Sequence, residues 1–197
     1  RIESVNFDNF LDYGCGDGRL INNLKINNKS KLFGFEISEK ASLFFKAFNP
    51  EIKLLNKIDE FEKYQDFFNI INFSEVIEHI PDDEVFKNIE NIHKILKKDG
   101  ILLVTAPHEN NPVQKKHYRH YNYQSLLKNF DPNKFRLVEK KFLFEKNIFK
   151  TIIRKFMFNR FFIVNSNLIF KLYFYLNNFY LDTNEKSCET IFLMLQK

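Results

Sequence analysis

The stretch "FLDYGCGDGRL", residues 10–20, places three of the chain's five glycines within five positions. An apolar pair opens the stretch, and the segment that follows it, "GRLINNLKI", has helical spacing. Glycine at a strand-to-helix turn permits a tight backbone bend and leaves no side chain between the backbone and a ligand. Two interpretations are open at this point: an ordinary turn, or a loop whose backbone approaches a bound molecule.

Around this loop, short apolar runs alternate with amphipathic segments over the first two thirds of the chain. The alternation predicts a parallel sheet with helices on both faces, the arrangement of an α/β fold. The longest predicted helix has Pro81 near its first turn, and Lys97, Lys98 and Gly100 at its expected end. Strands are predicted at "FDNFLDYG", "KLFGFEIS", "IKLLNKI", "FFNIINFSEVI", "ILLVTAPH", "KFRLVEKKFLF" and "ETIFLMLQ", and further helices at "GRLINNLKI", "EKASLFFKAF" and "HYNYQSLLKNF".

Composition sets limits on partners and compartment. The formal net charge of +5 does not by itself indicate a nucleic-acid partner. Cys15 and Cys188 lie far apart and form no metal-type pair, which favours a reduced, cytoplasmic setting. The sequence has no uninterrupted apolar run of about 18 residues, so it predicts no membrane-spanning helix.

An acidic residue supports the ligand-binding interpretation of the loop. Glu36 ends the second predicted strand, about 20 residues after the glycines, where doubly wound folds place a carboxylate on the ribose hydroxyls of a nucleotide. The dinucleotide pattern G-x-G-x-x-G does not fit, because residues 17–20 break its spacing and Asp12 precedes the first glycine.

The segment "LDYGCGDG" resembles the loop (L/V)-D-x-G-C-G-x-G of class I S-adenosylmethionine-dependent methyltransferases and matches each specified position. The resemblance implies a Rossmann-like, seven-stranded, mostly parallel sheet whose last strand is antiparallel. It also implies that S-adenosylmethionine is the cofactor. The implied cofactor-binding residues are Asp12, Gly14, Cys15, Gly16, Glu36, Ile37, Ile58, Ser74 and Glu75.

Three later segments extend the resemblance to residues 8–130. "FNIINFSEVIEHI", "LKKDGILLVTAPH" and "HYRHYNYQSLLKNF" resemble consecutive segments of the ubiquinone-biosynthesis-type methyltransferases and of the methyltransferase-domain 11 and 23 families. The last of these is similar to the pattern H-x-R-x-Y/F. Asn69 departs from the usual Asp, and Lys98-Asp99 from the usual Pro-Gly.

The segment "SEVIEHI" brings two carboxylates and a histidine to the end of the fourth predicted strand. Three interpretations remain open. Glu78 and His79 cap the next turn; or His79 acts as a general base, with Glu78 and His117 as further catalytic candidates; or Glu75, Glu78, His79 and His117 bind a divalent metal. For the metal interpretation, the segment E-V-I-E-H with a downstream histidine resembles the metal-dependent small-RNA 2′-O-methyltransferases.

The basic and aromatic cluster "KKHYRHY" offers further candidates for substrate contact. His108, His117 and His120 suit an anionic or aromatic ligand, and a solvated surface loop is the alternative. His93 lies in the middle of a predicted helix and is expected to be structural.

A single domain is expected over residues 1–197. It has a cofactor-binding core at 1–130, a variable substrate cap at about 131–182 and a closing strand at 183–197. The Phe-rich, basic stretch 147–176 is open to three interpretations: packing within the cap, peripheral membrane contact, or a dimer contact. The oligomeric state is left open.

The function expected from these residues is methylation of an oxygen on a small metabolite, sugar or cell-envelope precursor. The first alternative is a metal-dependent RNA 2′-O-methyltransferase. The second is a cofactor-binding subunit without catalytic activity that regulates a partner.

Overall fold

The computed structural model describes residues 7–24, 32–146, 151–153, 155, 171, 175–176, 178 and 181–197. Eight strands form one sheet: β1 Phe10–Tyr13, β2 Leu32–Phe35, β3 Lys53–Leu55, β4 Phe68–Ser74, β5 Leu96–Pro107, β6 Arg136–Glu145, β7 Asp182–Thr183 and β8 Cys188–Gln196. The helices whose bounds the structure describes are α1 Arg19–Asn23, α2 Glu39–Phe48, α3 Asp82–Ile95 and α4 Tyr123–Leu127, with 3₁₀ helices at Ile58–Tyr64 and Ile77–His79.

The strand order in the sheet is β3-β2-β1-β4-β5-β8-β6-β7. Strands β1 to β5 are parallel, and β8 lies antiparallel between β5 and β6. The α/β prediction and the antiparallel closing strand are therefore confirmed. The predicted number of seven strands is wrong by one, because the two-residue β7 pairs with β6 at the sheet edge.

Both faces of the sheet are covered, which explains why its central strands are mostly apolar, with Asp12 of β1 and Asn72 of β4 as buried exceptions. All four residues of β1 and all four of β2 are buried. One face packs Tyr13 and Phe73 against α3, and the other packs Phe10 against Phe45 of α2. Because alternate residues of a strand point to opposite faces, a strand covered on both sides is apolar at most positions on both faces.

Helix α3 ends earlier than its sequence signals predict. Its first turn holds three acidic residues, which suit the positive end of the helix dipole, but the chain becomes extended at Leu96. Leu96 is fully buried and pairs with Phe68 of β4, and Asp99 takes a left-handed conformation with φ of 62°. The expected helix end at Lys97, Lys98 and Gly100 is wrong, since strand pairing takes these residues into an irregular start of β5.

Much of the last third of the chain remains a prediction. The stretch 147–176, with its proposed membrane contact, lies almost entirely outside the described residues. Within the described part, no helix has the length and apolar character needed to cross a bilayer. The division into core, cap and closing strand also stays a prediction, although β6 and β8 both belong to the central sheet.

Candidate active site

The glycine loop lies after β1, at the point where the strand order reverses. Open parallel sheets bind ligands at this point, beyond the carboxyl ends of their strands. Gly14 and Gly16 have left-handed φ values of 79° and 56°. A Cβ at Gly14 would lie 2.5 Å from the Val76 side chain, whereas a Cβ at Gly16 would meet no described protein atom within 4 Å. Gly14 therefore allows close packing, and Gly16 borders open space that a ligand can fill.

Glu36 ties the loop to the end of β2. Its carboxylate accepts hydrogen bonds from the backbone N–H of Gly16 at 2.9 Å and of Ser38 at 2.7 Å. The N–H groups of Gly14 and Cys15 donate to the Phe35 carbonyl at 2.8 and 3.0 Å. The Cys15 thiol is buried with the core under the loop, and desolvation raises its pKa, so this side chain does not face the loop's open side.

A cleft of about 390 Å³ opens beside this loop, a volume within the usual range for small-molecule sites. Two apolar side chains at the cleft are exposed to solvent, Ile37 by 72% and Ile58 by 37%. Exposed aliphatic groups at the mouth of a cleft are suited to cover a flat apolar ligand group. The cleft is lined by Gly14, Glu36, Ile37, Ile58, Glu75 and His79, among others.

A buried polar chain lies under the loop. Asn72 donates from Nδ2 to Asp12 Oδ1 at 2.8 Å, and Ser74 Oγ donates to Asn72 Oδ1 at 2.7 Å. Burial raises the pKa of Asp12 to about 6; the hydrogen bond from Asn72 lowers it, and the charge of Glu36 raises it. Above that pH, Asp12 places a negative charge beneath the loop, which favours a cationic ligand group there.

Glu78 is a fully buried carboxyl group in the 3₁₀ helix Ile77–His79. Neither side-chain oxygen has a hydrogen-bond partner among the described residues. Desolvation, and then the charge of Glu75, raise the pKa of Glu78 to about 8. A buried carboxylate without partners is costly, so Glu78 requires either a proton or a cation beside it.

Two histidines lie beside Glu78. One ligand atom from each of Glu78, His79 and His117 falls within 4.8 Å of the others, and Glu78 Oε1 is 4.0 Å from His79 Nε2. His79 Nδ1 lies 3.0 Å from the Lys116 carbonyl. Because a carbonyl only accepts, Nδ1 carries the proton, and Nε2 of the neutral ring has the free lone pair. We call Glu78, His79 and His117 the acid–histidine cluster.

Glu75 lies next to the acid–histidine cluster but is held differently. Its Oε1 accepts a hydrogen bond from Thr105 Oγ1 at 2.9 Å, and its own N–H donates to the Thr105 carbonyl at 3.0 Å. The backbone takes the left-handed region at φ of 55°, a strained conformation for glutamate. The walls of the cleft desolvate the carboxylate and raise its pKa, although part of the side chain faces the opening.

Of the remaining histidine candidates, His120 contacts His117 of the cluster and His108 lies apart from it. His120 Nε2 lies 2.8 Å from His117 Nδ1. His108 is buried elsewhere, 3.7 Å from the Glu185 carboxylate. His93, which lies in α3, packs its ring against Phe135, in keeping with the structural role expected for it.

Arg119 has a role that the sequence did not reveal. Its guanidinium donates to the Ile77 carbonyl at 3.1 Å, to the Ile80 carbonyl at 2.6 Å and to the Tyr121 hydroxyl at 2.9 Å. It also pairs with Asp82 at 2.5 Å. These bonds join the 3₁₀ helix that carries Glu78 and His79 to the segment that carries His117. The arginine of "HYRHY" marked the position, but its partners are distant in sequence.

The fold is similar to that of several solved structures, two of which are titled as methyltransferases and one as a cyclase. A protein from Archaeoglobus fulgidus described as a SAM-dependent methyltransferase superposes with a TM-score of 0.66 at 14% identity, over 96% of this chain and 86% of that one. The N-methyltransferase NodS from Bradyrhizobium japonicum, in complex with S-adenosyl-L-homocysteine, gives 0.65 at 14%, over 100% and 81%. The [4+2]-cyclase SpnF gives 0.62 at 13%, over 96% and 75%. No curated protein sequence matches this chain.

The family is shown by a match along most of the sequence. The family model Methyltransf_23, described as a methyltransferase domain, matches residues 4–140. This range contains the glycine loop, Glu36 and the acid–histidine cluster. The chain therefore belongs to this methyltransferase-domain family and is a class I enzyme that uses S-adenosylmethionine.

Proposed function

We propose that this enzyme methylates a hydroxyl oxygen of a small molecule, and that the acid–histidine cluster lies on the acceptor side of the site. The observation that carries the proposal is the position of His79, which lines the same cleft as Gly14 and Glu36 and belongs to the cluster. A hydroxyl loses its proton when it is methylated. A neutral imidazole with a free Nε2 suits that task, because its ordinary pKa is about 6.5.

The donor side of the cleft fits S-adenosylmethionine. When bound, this cofactor supplies a methyl group that is already activated on a sulfonium. Glu36 uses two backbone donors at present, and a carboxylate offers about four acceptor positions, so two remain for the ribose hydroxyls. Ile37 and Ile58 are proposed to pack on the adenine. The charge of Asp12, with Ser74 in the same polar chain, suits the cationic methionyl end.

The acid–histidine cluster also fits a divalent metal. The unpartnered Glu78 oxygens and two imidazoles form a mixed oxygen and nitrogen donor set that suits manganese, iron or zinc. Glu78, His79 and His117 would hold the ion, and Glu75 lies next to them. A bound ion would act as a Lewis acid that lowers the pKa of an acceptor hydroxyl. The metal and the base interpretations both place the acceptor oxygen at this cluster.

The acceptor class rests on chemistry, since the fold alone does not choose it. Solved structures with this fold include one titled an N-methyltransferase and one titled a [4+2]-cyclase. An amine acceptor is thus an outcome that the test must include, and so is RNA.

A cytoplasmic location is part of the proposal and is consistent with the two cysteines, which are unpaired and buried.

The first experiment measures binding of S-adenosylmethionine by calorimetry. Gly14→Val and Glu36→Ala should each weaken binding, while Glu51→Ala, an exposed acid outside the cleft, should not. The second follows transfer of labelled methyl to catechols, sugars, amines and short RNA, with and without chelator. Transfer to hydroxyl compounds supports the proposal. Transfer confined to amines contradicts it, and chelator-sensitive transfer to RNA supports the RNA alternative instead.

A further inference from the structure

We propose that His120 is a positioning residue that fixes the proton of His117 on Nδ1 and so leaves Nε2 of His117 available to the acid–histidine cluster. The inference rests on the proposed function, because it concerns the same acceptor side. The pattern H-x-R-x-Y/F that this segment resembles leaves the position of His120 unspecified. The assignment therefore depends on the hydrogen bonds of this chain.

The direction of each hydrogen bond follows from one fixed acceptor. His120 Nδ1 lies 3.0 Å from the Asn111 carbonyl, which can only accept, so Nδ1 carries a proton. In a neutral ring, His120 Nε2 is then an acceptor. Its partner at 2.8 Å is His117 Nδ1, which must donate. The proton of neutral His117 is thereby held on Nδ1, and its Nε2 keeps the lone pair.

The neutral state that this reasoning requires is that of an imidazole above its ordinary pKa of about 6.5, a condition that is met at about pH 8. A protonated His117 would have no lone pair for either a substrate proton or a cation. The free Nε2 is useful to both versions of the proposed acceptor site.

The Asn111 carbonyl is itself anchored to the sheet. The Asn111 side chain donates to the Glu189 carbonyl in β8 at 2.8 Å, and its N–H donates to the His108 carbonyl at 3.0 Å. Asn111, which lies in the loop after β5, is therefore held by both its side chain and its backbone N–H. Because the Asn111 carbonyl is held in place, it fixes the proton of His120 on Nδ1, and His120 Nε2 in turn fixes the proton of His117 on Nδ1.

The two histidines of the cluster are oriented by different means. His79 donates from Nδ1 to a backbone carbonyl, that of Lys116, which substitution of a side chain does not remove. His117 donates to a side chain, that of His120. Mutation can therefore separate the orientation of His117 from its presence. Groups that orient a histidine in this way typically change metal affinity by about 10–100-fold when they are lost.

The test compares His120→Gln with His120→Leu in the full chain, free of metal and cofactor. Glutamine keeps an acceptor oxygen and an N–H donor at similar reach, whereas leucine offers neither. Ring-nitrogen NMR at about pH 8, above the ordinary histidine pKa, reports which nitrogen of His117 is protonated. We expect Nδ1–H in the wild type and in His120→Gln, and a mixture of both forms in His120→Leu. His93→Gln, near the carboxyl end of α3 and packed on Phe135, is the control and should leave His117 unchanged.

A second readout is the affinity for Mn²⁺, which we expect to fall by about 10–100-fold in His120→Leu and to be largely kept in His120→Gln. Unchanged binding of S-adenosylmethionine shows that each variant is folded. The proposal is overturned if wild-type His117 carries its proton on Nε2, or if His120→Leu leaves the proton on Nδ1. Failure of hydroxyl methylation in the wild type would count against the proposed function, and failure of Mn²⁺ binding would count against its metal version only, while the NMR result would still decide the role of His120.

Discussion

Alanine at Gly14 and at Gly16 should have different costs, although the two glycines belong to the same loop. Both have left-handed φ values, which cost an L-residue roughly 1–2 kcal/mol. Only at Gly14 would the new methyl carbon meet protein, at 2.5 Å from Val76 Cγ2. Overpacking of this kind typically costs a further 1–3 kcal/mol or so. We therefore expect Gly14→Ala to lower the free energy of unfolding by about 2–5 kcal/mol, and Gly16→Ala by about 1–2 kcal/mol.

Urea unfolding of the two variants measures this difference, and the double variant Gly14→Ala/Val76→Ala tests its cause. If the clash with Val76 is responsible, the double variant should recover most of the excess, seen as a coupling energy of about 1–3 kcal/mol. The affinity for S-adenosylmethionine should fall more in Gly16→Ala than in Gly14→Ala, since the methyl group at Gly16 enters the open space beside Glu36. Equal unfolding free energies for the two single variants, or no coupling to Val76, would refute the packing argument.

Three further predictions concern titration and positioning. The pKa of Glu78 is raised in the fold to about 8 from an ordinary 4.5, so the metal-free protein should lose stability as the pH rises from 4.5 through 8. Glu78→Gln should remove much of this loss, as measured by urea unfolding at pH 5 and 8 in chelator, each near one end of that range. Arg119→Lys cannot reach both the Ile77 and Ile80 carbonyls and should slow methyl transfer while calorimetry shows S-adenosylmethionine binding within about twofold of wild type. Asn72→Leu removes the hydrogen bond that lowers the Asp12 pKa, so calorimetry should find cofactor affinity weakened more at pH 6 than at pH 8.

The proposed donor side of the site was predictable because its signals are local. Glycines that take left-handed conformations and a carboxylate at a strand end leave a pattern within about 20 residues. The structure places Gly14 and Glu36 at one cleft and joins the Gly16 N–H to the Glu36 carboxylate, as the pattern requires. Cys15 shows the limit of this reasoning, because its position in the loop says nothing of which way the side chain packs, and the thiol lies in the core.

The proposed acceptor side depends on contacts between distant segments. The separation of 42 residues between Arg119 and Ile77 leaves no periodic signal, and nothing in "SEVIEHI" indicates that Glu78 is fully buried while Glu75 reaches Thr105. The prediction of where α3 ends was wrong for a related reason. Lys97 and Gly100 are good helix-stop residues, but the pairing of Leu96 with Phe68 in the sheet outweighed the local signal.

One short segment, Ser74–Ile80, connects the two sides. Ser74 belongs to the polar chain that ends at Asp12, and Val76 packs against Gly14. The next turn carries Glu78 and His79 into the acid–histidine cluster. Arg119 holds the carbonyls of Ile77 and Ile80, so the turn that carries Glu78 and His79 is fixed on both sides. Because Val76 precedes this turn and packs against Gly14, the fold sets the position of the glycine loop relative to the cluster, which suits the alignment of a methyl donor with an acceptor.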